Sequence, residues 1–118
     1  FDIIMGNHLM EHVADDRKVM AEYFRVMKPG GWGIFQVPME RNNADTMEDP
    51  SITNPAERER LYWQSDHVRL YGMDYADRYR AVGFEVEELD LRALFGEERF
   101  ERCALGGERY LQVVRKPA

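Results

Sequence analysis

His8, Glu11 and His12 stand at i, i+3 and i+4, a spacing that sets all three on one face if the chain makes a helical turn there. Two imidazoles and a carboxylate so arranged can take a divalent cation, as helical His-x-x-x-His pairs do, with His67 as a distant fourth ligand. His12 and His67 are also candidate general bases, because an imidazole exchanges protons near neutral pH. Arg69 offers a cation to an acidic substrate group or to a surface carboxylate such as Asp74, and the surface pair is the expectation. Tyr62, Trp63 and Tyr71 could line a pocket, although aromatics at such spacing more often form core. Cys103 is the single cysteine, which excludes an internal disulfide and a Cys-rich zinc module, and no neighbour in sequence activates it.

The elements that must position these residues follow from the apolar pattern. Residues 1–5 (Phe-Asp-Ile-Ile-Met) form a short apolar run closed by Gly6-Asn7, which predicts a buried strand of the kind covered on both faces in a parallel sheet. Residues 15–28 predict a helix with Val19, Met20, Tyr23, Phe24 and Met27 on one stripe. Asp15 and Asp16 suit its N-terminus, Arg25 and Lys28 its C-terminus, and Lys18 with Glu22 adds an i,i+4 pair. Pro29-Gly30-Gly31 stops it. A second strand over residues 32–37, ended by Pro38, completes a strand–helix–strand unit. Residues 40–55 are polar, a long loop of the sort that is functional or mobile. Beyond it, Pro55 opens a short helix through Tyr62, residues 74–82 form another helix, and Phe84 and Val86 alternate with glutamates as a half-buried strand. Residues 92–105 are helical in part, and residues 110–115 make a last strand.

A chain of 118 residues is one domain, here residues 1–118, and buries roughly two-thirds of the surface its unfolded form exposes. Sixteen basic against twenty-two acidic residues leave a net charge of −6, which argues against nucleic acid as a partner, since counterion release needs clustered Lys and Arg. No apolar stretch approaches the ~20 residues that span a bilayer, and no signal peptide leads the chain, so no membrane role and a cytoplasmic, reducing location are expected.

The string Phe1-Asp2-Ile3-Ile4, then His8-Leu9-Met10-Glu11-His12-Val13, then Arg25-Val26-Met27-Lys28-Pro29-Gly30-Gly31 resembles the second half of class I S-adenosylmethionine-dependent methyltransferases, the type 11 kind. His67-Val68-Arg69-Leu70-Tyr71-Gly72 and Ala81-Val82-Gly83-Phe84-Glu85-Val86 are similar to that family's last helix and sixth strand. The resemblance implies an α/β fold, a partial doubly wound, Rossmann-like methyltransferase sheet with an antiparallel C-terminal strand pair. It also implies S-adenosylmethionine as cofactor, methyl transfer to a small-molecule acceptor, and cofactor contact through Asn7, His8 and Leu9. Residues 40–66 would be an inserted, substrate-side segment. Some family members, the ubiquinone-pathway and small-RNA 2′-O-methyltransferases, resemble the His8, Glu11, His12 turn in using a metal to organise the acceptor hydroxyl. Many metal-independent relatives carry Glu-His at the same turn, where the pair orients the loop and caps the helix, so a divalent metal is the lesser expectation. Methyl transfer needs little acid–base help when the acceptor is already nucleophilic, because the sulfonium carries its own leaving group and positioning does most of the work.

The chain departs from the family in lacking a glycine-rich turn after a strand, since Gly31-Trp32-Gly33 precedes one. The acidic residue that would hold the ribose is missing as well. The expectation is half of a cofactor site, with the amino-terminal, cofactor-binding half absent, and a fragment that is inactive alone. A central strand stripped of one neighbour would leave an apolar edge over residues 1–5, through which the chain is expected to form a homo-oligomer, a two-fold dimer first of all. The alternatives are a non-catalytic, self-associating remnant and a metal-binding protein built on His8, Glu11 and His12.

Overall fold

A computed structural model of the chain describes residues 1–107 and 109–118. In chain order it contains β1 (Ile3–Met5), α1 (Asp16–Val26), β2 (Trp32–Ile34), β3 (Met47–Glu48), α2 (Pro55–Tyr62), β4 (Arg69–Leu70), α3 (Tyr75–Ala81), β5 (Glu85–Asp90), α4 (Leu91–Phe95), α5 (Glu97–Arg102) and β6 (Tyr110–Arg115). The main sheet runs β1-β2-β6-β5. β1 and β2 are parallel, with Ile4 opposite Gly33, and β6 is antiparallel to both β2 and β5. This is the α/β sheet with an antiparallel C-terminal pair that the sequence predicts. β3 and β4 make a separate small antiparallel pair, so part of the polar stretch over residues 40–55 is fastened to Arg69 and Leu70.

α1 forms where the stripe predicts it. The Asp15 side chain accepts a hydrogen bond from the Lys18 amide and caps the helix, satisfying one of its free N–H groups. Its end comes earlier than expected: Met27 is already extended, two residues before Pro29, and Gly30 turns the chain at a φ of +80°. Lys28 therefore lies outside the helix, where its ammonium sits 3.2 Å from Asp2. The expected Lys18–Glu22 pair gives way to Glu22–Arg25, one turn closer to the positive-charge-favouring C-terminus.

The buried face of α1 meets the sheet and α3 through Met20, Met27, Phe35, Tyr75, Tyr79, Phe84 and Val114. Aromatic rings run through this core in sequence. Tyr23 stacks on Phe35 at 4.4 Å between centroids, Phe35 on Tyr79 at 5.4 Å, and Tyr75 meets Tyr79 edge-on. Two buried phenols need partners. The Tyr75 hydroxyl donates to the Phe35 carbonyl and lies 3.0 Å from that of Tyr79.

β1 is the correction to the sequence expectation of a strand covered on both faces. It has one neighbour, β2, and sits at the sheet edge. Phe1, Ile3 and Met5 are 71%, 51% and 63% exposed, and only Ile4 packs against the core. Among the described residues no helix is long and apolar enough to cross a membrane.

Candidate functional site

β1 and β2 run side by side, so their carboxyl ends open on the same edge of the sheet, and a cleft of about 490 Å³ lies there. His8 lines it from the segment after β1; Gln36, Val37 and Met39 line it from the segment after β2; Trp63, Tyr75 and Tyr110 add aromatic wall. In open α/β sheets ligands bind in this position, beyond the carboxyl ends of parallel strands. The segment after β1 is held tightly. The Asn7 side-chain oxygen accepts from the Gln36 amide at 3.1 Å, and the His8 amide donates to the Gln36 carbonyl at 2.7 Å. His8 turns the chain in left-handed geometry, at a φ of +54°.

Arg41 and Arg109 bracket Tyr110 at the cleft, with guanidinium carbons 3.9 and 5.0 Å from the ring centroid. Each is also paired: Arg41 with Glu88 at 2.8 Å, Arg109 with Asp90 at 2.9 Å. The hydrogen bond from Arg109 brings the Asp90 carboxyl down to about 2, and that from Arg41 lowers Glu88.

The left-handed His8 also breaks the helical turn expected over residues 8–12. These residues form successive turns, closed by the His12 amide on the Leu9 carbonyl, and Asp15 rather than the Glu11–His12 pair caps α1. Glu11, His12 and His67 nevertheless come together, their donor atoms within 4.8 Å of one another. Glu11 and His67 are each 2% exposed, and His12 is half-buried. The His67 ring lies edge-on to His12, with centroids 4.8 Å apart. His8 is exposed, 3.7 Å from Glu11 at its Nδ1, and stands outside the three-residue cluster.

Arg69 fixes this region. It is buried, not on the surface, and its partner is not Asp74, which accepts from Thr46 instead. The guanidinium donates to the carbonyls of Met10, Val13 and Ala14 and to Glu48 at 2.8 Å. Arg78, from α3, bridges the same Glu48 to Asp16 at the start of α1. Burial pushes Asp16 and Glu48 up, but their hydrogen bonds, from Tyr71 and Arg78 to Asp16 and from Arg78 and Arg69 to Glu48, together outweigh it and hold both carboxyls low. A planar fork reaching three carbonyls at once is a task that suits Arg and not Lys.

Of the residues singled out in the sequence, the structure brings His8 to the cleft and gathers Glu11, His12 and His67 beside it. Leu9 is exposed, and Asn7 is engaged with Gln36. Trp63 lines the cleft, whereas Tyr62 and Tyr71 are core. Cys103 is free and exposed. Sequence reasoning missed Gln36, Arg41, Arg109 and Tyr110, which come from three separate segments and carry no local spacing signal.

Residues 1–35 match the family model of the methyltransferase domain. No curated protein sequence matches the chain. Among solved structures, phosphoethanolamine N-methyltransferase 2 of Haemonchus contortus in complex with S-adenosyl-L-methionine is similar over 100% of this chain and 34% of its own length, at 15% identity and a TM-score of 0.58. An O-methyltransferase family protein from Burkholderia thailandensis is similar over 99% of this chain and 31% of its own, at 19% identity and a TM-score of 0.56. The [4+2]-cyclase SpnF covers 100% of this chain and 51% of its own, at 17% identity and a TM-score of 0.56. The chain spans between about a third and a half of the length of these proteins. Beyond the match over residues 1–35, the likeness to these structures extends over the whole chain and is one of Rossmann-like fold. One neighbour on this fold is a cyclase, so fold alone does not fix the reaction.

Proposed function

We propose that this chain supplies the acceptor-side portion of an S-adenosylmethionine-dependent methyltransferase acting on a small molecule. The observation that carries the proposal is the cleft at the carboxyl ends of β1 and β2, the ligand position of this fold class, with His8 on its wall. The cofactor's methionine end would lie along Asn7, His8 and Leu9. The residues present fit one wall only: Asn7 Oδ1 and the His8 amide are already spent on Gln36. No glycine-rich turn follows a strand here to receive the nucleoside. The cofactor brings an activated methyl group; the chain's own part is to seat the acceptor between Trp63 and Tyr110, exclude water, and align the two for in-line transfer. Residues 40–66 are the acceptor-side segment in this scheme. His12 and His67, the candidate bases for a hydroxyl acceptor, stand outside the cleft lining, behind Glu11, whose Oε1 lies 3.7 Å from His12 Nε2 and 3.7 Å from His8 Nδ1.

Backbone amide NMR with added S-adenosylhomocysteine tests this. Shifts confined to His8, Gln36 and Trp63, saturating only at high ligand concentration, are expected. No shifts at any concentration would favour the non-catalytic remnant. Tight binding to a solitary copy would overturn the one-wall proposal.

The exposed side chains of β1 favour a second property. We propose that the chain pairs with a second copy through this edge, antiparallel across a two-fold axis, because β1 has no partner on its outer side among the described residues. Light scattering should show a dimer that Ile3→Lys dissociates; a monomer at high concentration refutes it.

A further inference from the structure

Glu11 poses a problem that the methyl-transfer proposal leaves unanswered. Its carboxylate is almost fully buried, and among the described residues its Oε2 has no hydrogen-bond partner. A buried carboxylate in that state carries the full cost of its lost hydration unless a cation meets it. Its near neighbours are two imidazoles. His12 Nε2 lies 3.7 Å from Glu11 Oε1, and a donor atom of His67 lies within 4.8 Å of both.

The tautomers decide what those imidazoles present. His67 Nδ1 lies 2.8 Å from the Tyr62 carbonyl, and His12 Nδ1 lies 3.3 Å from the Asp66 carbonyl. A carbonyl only accepts, so in each ring Nδ1 carries the proton and the neutral ring's Nε2 keeps its lone pair. Orientation of the ring by a second oxygen acceptor is the arrangement that holds metal-ligating histidines. We propose that Glu11, His12 and His67 bind one borderline divalent transition ion of the Zn²⁺ or Co²⁺ type, with His8 not a ligand. The donor set disfavours Mg²⁺, which takes oxygen ligands, whereas imidazole suits zinc and other late divalent transition ions. At bond lengths of about 2.1 Å, tetrahedral donors stand roughly 3.4 Å apart. From separations of 3.7 to 4.8 Å, the cluster therefore closes by about 0.3–1.4 Å on binding. Three protein ligands leave a position open for water or an acceptor oxygen.

Chelator-treated protein titrated with Zn²⁺ and Co²⁺ tests this without any methyl-transfer reagent, so it stands or falls independently of the proposed reaction. One ion per chain, visible Co²⁺ absorption of a distorted nitrogen and oxygen site, and a raised melting temperature with Zn²⁺ but not Mg²⁺ are expected. Glu11→Gln and His12→Gln should each weaken Zn²⁺ by at least about 100-fold, since loss of an outer partner alone costs about 10–100-fold. His67→Asn should do the same; if its buried site does not tolerate the change, the other two variants decide. His8→Ala should leave stoichiometry and affinity as they were. No binding, unchanged affinity in Glu11→Gln, a preference for Mg²⁺, or loss of the site in His8→Ala would each overturn the assignment.

Discussion

Replacing Arg69 by Met is the sharpest test of how the site is held. Met keeps the apolar stem and removes the fork, leaving the carbonyls of Met10, Val13 and Ala14 without their donor. Glu48 is half-exposed and can turn to water, so the cost falls mainly on the carbonyls. Each charge-assisted bond contributes about 1.5–3 kcal/mol and the three share one group. Breaking such a buried arrangement costs about 3–5 kcal/mol. A chain of this length has roughly 6–18 kcal/mol in all. Urea unfolding followed by tryptophan fluorescence should show the midpoint falling by roughly 2–3 M at a slope near 1.5 kcal/mol/M. Arg69→Lys should recover little, because an ammonium cannot reach three carbonyls in one plane. A loss below about 1 kcal/mol in Arg69→Met would refute the claim that this guanidinium organises residues 10–14.

Three further outcomes are expected. Asp16 and Glu48 titrate below their ordinary values of 3.8 and 4.5 in the folded chain, so their contribution is complete above those values and is lost as pH falls through the folded ones. The melting temperature should therefore drop below about pH 4.5, and Tyr71→Phe, which removes the 2.6 Å hydrogen bond to Asp16, should flatten that acid limb. Gly72→Ala should cost about 1–3 kcal/mol in thermal unfolding, because an added Cβ meets the Asp45 and Asn43 carbonyl oxygens at 2.6 and 2.7 Å; Gly106→Ala, with open space around it, should cost nothing. Asn7→Ala should cost about 1 kcal/mol and speed hydrogen exchange at the Gln36 amide, which loses its acceptor.

Local signals proved sufficient for the helices and the strands of the main sheet, but not for the short β3–β4 pair or the polar network. α1 and its Asp15 cap, α2 opening at Pro55, and β6 over residues 110–115 follow from periodicity and from Pro and Asx chemistry, which act within a few residues. β1 illustrates the limit: its apolar run alone reads as a strand covered on both faces, and the exposed edge over residues 1–5 follows only from the resemblance, through the missing neighbour. The His8–His12 spacing points to the segment, but the left-handed His8 replaces the helical turn, so His67 and not His8 joins Glu11 and His12. Arg69 was expected on the surface because most arginines are there. Only the fold brings the three carbonyls that make its burial tolerable.

That fork has a consequence for variation. Through Arg69 and Glu48, the turns bearing Glu11 and His12 share an anchor with the excursion between β2 and α3. Lengthening or rebuilding that excursion without an acidic side chain opposite Arg69 will disturb the histidines as well. Its sequence cannot drift as a cassette; whatever it comes to recognise must leave the shared anchor in place.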